Sequence, residues 1–308
     1  MILHTGMRTD IPAFYSQWFL NRLKAGFVLV RNPFDPSSVT RYSLSPDVVD
    51  LIGFCTKNPA PMLPHLSRLQ AYGQHWFVTI TPYGRDIEPN VPPKEQVMDS
   101  FLALSSALGP HRVAWRYDPI LLNDTYTVER HLADFEVMAA RLSGATDTCV
   151  ISFIDLYEKV KRNFPEVQPV RQQERILLGS RMAAIAARHG MTLKACGEGN
   201  ELAAYGVDVS GCMTLSVYEK ALGERLNAPK TKPLRKECVC YLGNDIGAYH
   251  TCAHLCRYCY ANDDADLALY NRKRHDPDSP FLIGDSMPGD RIHQAKQESW
   301  IDRQLRFW

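Results

Sequence analysis

No apolar run in the chain approaches the eighteen or so residues of a membrane span. The opening MILHTGMRTD has no basic segment leading into a long apolar stretch, so a secretory leader is not expected. Net charge is nearly absent: 35 Lys and Arg against 34 Asp and Glu leave +1 at pH 7. No global field therefore points to nucleic acid, and none excludes it. No G-x-G-x-x-G follows any candidate strand, which removes the most specific support for a dinucleotide fold. There is no low-complexity linker and no repeat beyond a β-α unit. These absences leave a soluble, cytoplasmic protein with no membrane partner as the expectation.

Core material is ample, with 45% hydrophobic and 22% charged residues in a chain of 308. The first two-thirds alternates short apolar or β-branched runs with longer amphipathic ones. MILHTG leads to IPAFYSQWFLNRLKAG, DLIGFCTKNP to APMLPHLSRLQAYG, and HWFVTITPYG to PPKEQVMDSFLALSSALG. RVAWRYDPIL leads to TVERHLADFEVMAARLSG, TDTCVISFIDLY to QQERILLGSRMAAIAARHG, and a sixth strand, MTLKAC, ends at Cys196. Apolar spacing of i, i+3, i+4, i+7 and a closing Gly mark the longer runs as helices. Serial β-α units predict a parallel sheet with helical crossovers. FVLVRNPFDPSSVTRYSL reads as a hairpin inserted in the first unit. The expected α/β fold is a partial or complete TIM-type β/α barrel over residues 1–200; an open doubly wound sheet is the alternative. Residues 201–308 are expected to form a cysteine-rich iron–sulfur segment and tail folding over the barrel mouth, with SWIDRQLRFW as a docked helix.

In barrels the chemistry sits at the C-terminal ends of the strands, and here those ends are polar. They carry Arg8 and Asp10; Thr56, Lys57 and Asn58; Thr79, Thr81 and Tyr83; Arg116, Tyr117 and Asp118; Ser152 and Asp155; and Glu198. Strand ends also emerge into water and are polar for that reason alone, so the argument rests on the set rather than on one residue.

Nine cysteines in a reducing compartment do not read as a disulfide framework. Cys55 and Cys149 lie in apolar runs and read as small buried hydrophobes. The other seven all fall from residue 196 onward. TCAHLCRYCYAN sets Cys252, Cys256 and Cys259 in a C-x3-C-x2-C pattern. Zinc commonly takes paired C-x2-C ligands, whereas three closely spaced thiolates suit a [4Fe–4S] cubane with one iron left open. Cys196, Cys212, Cys238 and Cys240 come from three loops. They can hold a second metal, as an auxiliary iron–sulfur cluster or a structural zinc, or remain ordinary buried thiols. Cys238 or Cys240 can instead complete and close the first cluster, and His254 is a further candidate ligand.

The cysteine loop resembles the C-x3-C-x-aromatic-C signature of the radical S-adenosylmethionine (SAM) enzymes, with Tyr258 at the aromatic position. CRYCYA resembles the spore photoproduct lyase branch in particular. The resemblance implies that the open iron binds SAM, that Tyr258 packs near the adenine, and that a 5′-deoxyadenosyl radical abstracts hydrogen from an unknown substrate. It also implies a cytosolic electron donor such as flavodoxin or ferredoxin. The sequence departs from that pattern in placing the motif after the sixth strand rather than the first, and in lacking a Gly-Gly-Glu segment after the second. On this reading Arg8, Asp10, Lys57, Arg116, Asp118 and Asp155 stand at the reacting site, with Asn58, Thr79, Thr81, Ser152 and Glu198 beside the cofactor. Lys57 and Arg116, as donors only, suit the SAM carboxylate or a substrate phosphate; Asp118 or Asp155 suits ribose hydroxyls. Through RTDIPAFY, CTKNP, ITPYG, WRYDPI, ISFIDLY and DIGAYHTCAHLCRYCYAN the whole chain resembles a bacterial family described as domain of unknown function 1848. That family supplies no substrate.

Two other classes stay open. One is a non-catalytic iron–sulfur or zinc protein with a structural, electron-transfer or nucleic-acid-binding role; the other is a metal-independent hydrolase using the acid and base groups of the mouth. PKTKPLRKEC, with Lys230, Lys232, Arg235 and Lys236, and YNRKRHD read as solvated connectors before they read as a nucleic-acid surface.

Overall fold

The computed structural model describes residues 1–230, 238–242 and 244–302. Six strands, β1 (Ile2–His4), β4 (Leu51–Thr56), β5 (Gly73–Thr79), β6 (Val113–Ile120), β7 (Thr148–Phe153) and β8 (Thr192–Ala195), form one parallel sheet in that spatial order. Each expected strand run is present. The hairpin is also present: β2 (Phe27–Arg31) pairs antiparallel with β3 (Ser38–Ser43), and β9 (Arg291–Gln294) adds to β3 in parallel.

The crossovers are α1 (Ile11–Phe14) and α2 (Ser16–Ala25) after β1, α3 (Lys94–Leu108) after β5, α4 (Val128–Leu142) after β6, and α5 (Glu158–Asn163) with α6 (Gln172–Arg188) after β7. The segment Ala60–Leu69, expected as a helix, is a 3-10 helix with Pro64 inside it. Proline removes an amide donor and crowds the preceding turn, which accounts for the departure from α geometry. Two more helices follow the sheet, α7 (Leu215–Leu222) and α8 (Ala265–Lys273). No helix among the described residues is long and apolar enough to cross a membrane.

Side chains alternate across a strand, and the sheet uses both faces. Leu3, Ile52, Phe54, Trp76, Val78, Trp115 and Ile151 enter the main core with residues of α1 to α6. Aromatic stacking fills it: Phe54 lies on Trp76 at 3.9 Å and Trp115 on Phe135 at 4.7 Å between ring centroids. Ile2, Leu51, Phe77, Ala114 and Val150 point the other way. They pack against Tyr218 and Ala221 of α7 and against Cys212, Met213, Cys238 and Cys240. The part beyond residue 200 is thus built into both cores of the sheet, since Ile246, Cys256 and Tyr258 also join the main one.

Of the partial or complete barrel expected, the strands form no closed one: β1 and β8 are the two edges of the sheet. Irregular chain occupies the gap. Residues 244–246 pair with the outer edge of β1 (His4 N–H to Asn244 C=O 2.9 Å, Ile246 N–H to His4 C=O 3.0 Å). Asp208 pairs with β8 (its N–H to Leu193 C=O 2.8 Å, Ala195 N–H to its C=O 2.9 Å). The chain on either side is joined by a backbone bond, Tyr241 N–H to Met213 C=O at 2.8 Å. The expected terminal helix is also absent where described: Ile301 makes an antiparallel bridge to Leu226, and residues 303–308 lie outside the described residues.

Candidate functional site: a thiol-lined cavity at the strand ends

Alternation decides which strand-end residues meet. Thr79 pairs in register with Arg116, Arg116 with Val150, and Cys55 with Phe77, so all share the face that α7 and the late cysteines cover. Asp118 and Ser152, two residues beyond Arg116 and Val150, follow on the same face. The result is one cavity lined by Arg8, Asp10, Lys57, Thr79, Arg116, Asp118, Ser152 and Asp155 together with Tyr258. Cys196, Cys212, Cys238, Cys240, Cys252, Cys256 and Cys259 line it too, so both thiol sets expected from the sequence face one space. Asn58, Thr81 and Glu198 stand outside this lining. Asn58 Oδ1 accepts the Ala60 amide at 3.2 Å, and Thr81 is fully buried.

The loop carrying Cys252, Cys256 and Cys259 is pinned from several sides. Tyr15 donates its hydroxyl to Thr251 C=O at 2.6 Å, Asn90 donates to Ala253 C=O at 2.9 Å, and the Arg257 amide donates to Ile87 C=O at 3.0 Å. Within it, Asn262 donates to Cys252 C=O at 2.8 Å and the Ala261 amide meets Cys259 Sγ at 3.3 Å. Leu255 takes a left-handed φ of 57°, which turns the chain between the first two cysteines of the motif. His254 is not available as a ligand. Its Nε2 bonds Asp10 at 2.9 Å while its Nδ1 faces Asn90 C=O at 3.4 Å.

Asp10 is correspondingly occupied. One oxygen caps α1 through the Ala13 amide at 3.0 Å, and the other also accepts the Lys57 amide at 2.7 Å. Arg8 is tied to Asp245, through Nε to Oδ2 at 2.7 Å and Nη2 to the backbone oxygen at 2.6 Å. Arg116 pairs with Asp118, which also accepts the Ser152 hydroxyl. The charged groups of the mouth are therefore fixed by one another.

Glu88, in the loop after β5, was not singled out by the sequence. It is 1% exposed and accepts from Lys57 Nζ at 2.8 Å, Lys94 Nζ at 2.5 Å, Thr81 Oγ1 at 2.6 Å and the Tyr258 hydroxyl. Burial pushes its carboxyl up, but Lys57 and Lys94 more than offset this and bring it down to about 2. Lys57 feels burial first as well, yet Glu88 and then Cys256 hold its ammonium above the usual lysine range. Its Nζ lies 5.5 Å from the Tyr258 ring centroid. Cys55, expected as a buried hydrophobe, is half-buried and lines the cavity, whereas Cys149 is fully buried as expected. The signal for Cys55 was its parity with the inward row rather than its neighbours' hydrophobicity.

Burial pushes all three loop thiols up, Cys256 to about 12 despite the nearby Lys57. Without a metal they are neutral at pH 7, and a metal would have to displace their protons. Among the described residues no three or more His, Cys, Asp or Glu side chains stand as a ready metal cage. The donor chemistry is nevertheless that of soft-metal sites: three thiols in a pinned loop face one cavity, and no hydrogen bond joins their sulfurs to each other. Glu198 lines a second pocket, which Cys196, Cys212, Cys238 and Cys240 also line. It accepts the Phe153 amide at 2.8 Å, and burial pushes it up to about 7.

The fold and site define an α/β protein whose strand ends, late cysteine loop and α7-side thiols enclose one polar, thiol-rich cavity. The chain belongs to the family described as Domain of unknown function (DUF1848), whose model matches residues 2–261 and so takes in the sheet, the cavity and the whole cysteine loop. A comparison with curated proteins found no match.

Proposed function

We propose that the protein is an iron–sulfur enzyme of the radical SAM-like kind, with Cys252, Cys256 and Cys259 as cluster ligands and the sheet as a partial β/α barrel beneath them. One observation carries this reading. The C-x3-C-x2-C loop and the polar ends of successive strands line the same cavity, so a reactive centre at the thiols would face furnished walls. Cys252, Cys256 and Cys259 would hold a [4Fe–4S] cluster, which when bound would supply the reducing electron for cleavage of SAM.

The chain's own groups have definable tasks around it. Tyr258 presents its ring to the cavity while Glu88 holds its hydroxyl, which fixes the ring for stacking on an adenine. Lys57, above the ring and beside Cys256, offsets the negative charge of a thiolate centre. Arg116, Asp118 and Ser152 form a linked donor and acceptor set on the opposite wall, suited to hydroxyl or carboxylate groups of the bound molecules. The pinning of the loop by Tyr15, Asn90 and Asp10 keeps the ligands in place when the cavity fills. The reductant in this scheme is a cytosolic carrier of the flavodoxin or ferredoxin class.

The test is an electron paramagnetic resonance spectrum of anaerobically purified, dithionite-reduced protein, with and without SAM. A reduced-cluster signal whose g-values shift with SAM, and which is lost in Cys256→Ala, supports the reading. A signal indifferent to SAM favours a closed, non-catalytic cluster. Absence of iron after reconstitution sinks the proposal.

A further inference from the structure

The second thiol set differs from the first in how its sulfurs stand. Cys212 Sγ lies 3.3 Å from Cys196 Sγ and 3.7 Å from Cys240 Sγ. Cys238, two residues before Cys240, is buried and lines the same cavity. Three thiols from the end of β8, the turn before α7 and the 238–240 segment are thus in sulfur–sulfur contact, and the fourth lies next to them in the chain. We propose that Cys196, Cys212, Cys238 and Cys240 are a mononuclear tetrathiolate site for zinc, which fastens the two irregular segments across the gap between β8 and β1.

The spacing argues for one ion. Zinc–sulfur bonds of about 2.3 Å in a tetrahedron put neighbouring sulfurs about 3.8 Å apart. The Cys212–Cys240 pair is already at that edge length within 0.1 Å, and the Cys196–Cys212 pair is shorter by half an ångström. A cubane interposes its own irons and sulfides between thiolates and would require this group to spread apart. The sulfurs here hydrogen-bond one another, Cys212 with Cys196 and Cys212 with Cys240, which draws them together rather than around a common centre. Holding an ion requires the side chains to turn from these contacts to a common centre. Binding is then zinc(II) plus four thiols giving a tetrathiolate zinc and four protons released to water; no electron is transferred.

Four features support a bound ion. The Met213 amide donates to Cys240 Sγ at 3.2 Å, the kind of bond that steadies a thiolate ligand. Gly211 adopts a φ of +100°, and a Cβ there would stand 2.8 Å from Val239 Cγ2, so the chain is shaped for close approach of the 238–240 segment to Cys212. Cys238 and Cys240, two residues apart, are both buried, while Val239 between them is 60% exposed. A tetrathiolate zinc carries two negative charges, and Arg116 stands within electrostatic reach of Cys196 and Cys212 to offset them. The location explains what the ion would do: among the described residues one backbone bond, from Tyr241 to Met213, otherwise joins the two segments.

The experiment is metal analysis of the full chain, with zinc and with cobalt(II) as a visible probe, on wild type, Cys212→Ser and Cys256→Ala. The expected result is one zinc per chain in wild type and in Cys256→Ala, lost in Cys212→Ser. Cobalt-loaded wild type should show the intense bands of tetrahedral thiolate cobalt, which keeps the proposal testable if Cys212→Ser fails to fold. Wild type that takes up neither ion overturns it. So does iron with inorganic sulfide that survives in Cys256→Ala, since that would be a second cluster. The radical reading fails on a separate result, the lack of a cluster lost with Cys256, and does not touch the zinc outcome.

Discussion

The Asp10 carboxylate accepts a bond from His254 Nε2 at 2.9 Å across a sequence separation of 244 residues. The same carboxylate caps α1 and takes the Lys57 amide, so one side chain ties the first helix, the loop after β4 and the cysteine loop together. Asp10→Ala removes a helix cap worth about 1 kcal/mol and leaves buried donors unpaired at about 1–3 kcal/mol. A loss of roughly 2–4 kcal/mol in urea unfolding is expected, and Asp10→Asn should recover part of it. Equal stability of Asp10→Ala and wild type would show the tie to be idle.

Glu88→Gln should be the most damaging conservative change near the cavity. It leaves the Lys57 and Lys94 ammonium groups facing each other without the buried carboxylate between them. Breaking a buried ion pair on one side costs about 3–5 kcal/mol. The pH dependence has a fixed sign. The folded-state carboxyl lies below its ordinary value of 4.5, at about 2, so its contribution is complete above pH 4.5 and disappears as pH falls through 2. Denaturation midpoints between those limits should fall steeply in wild type and less so in Glu88→Gln.

Glu198 should behave in the opposite sense. Its folded-state value is raised from 4.5 to about 7, chiefly by burial. Proton binding then favours the folded state, so its contribution is complete below pH 4.5 and is lost as pH rises through 7. Glu198→Gln keeps an oxygen for the Phe153 amide and removes the titration. The variant should be more stable than wild type at pH 8, by on the order of 3 kcal/mol at most, and no better at pH 4. A wild-type stability curve flat from pH 5 to pH 8 would contradict this.

Gly6→Ala tests the wall of the cavity beside Cys55. A Cβ at position 6 would stand 2.2 Å from the Cys55 backbone oxygen and 2.5 Å from its Cβ. Backbone of a central strand has little room to yield, so a loss of about 1–3 kcal/mol is expected from overpacking. Thermal unfolding of the variant reads it directly.

The six strands of the sheet were legible because each is a short apolar run followed by helix-period spacing, a local signal that tertiary packing here reinforces. Asp118, Arg116, Ser152 and Lys57 were likewise legible as strand-end groups, since polar residues closing apolar strands have few cheap places to go. Glu88 was not, because nothing local marks a glutamate in a proline-rich loop as buried; its partners Lys57, Lys94 and Tyr258 arrive from three other parts of the chain. The addition of β9 to β3 was invisible for the same reason, as it joins residues more than 250 apart. Closure was left open between a partial and a complete barrel, because a series of β-α units specifies neighbours within the sheet but says nothing about whether the two ends meet.

The way those ends are finished matters for life in a crowded solution. An unoccupied sheet edge is a row of unpaired amides and carbonyls on which a second chain can grow. Here residues 244–246 cover β1 and Asp208 covers β8, so the principal sheet offers no such template on either side. A chain cut short before residue 244 would keep all six strands yet bare the flank of β1. Such a fragment would be expected to self-associate strand to strand, which makes the last part of the sequence a safeguard against aggregation as well as a wall of the cavity.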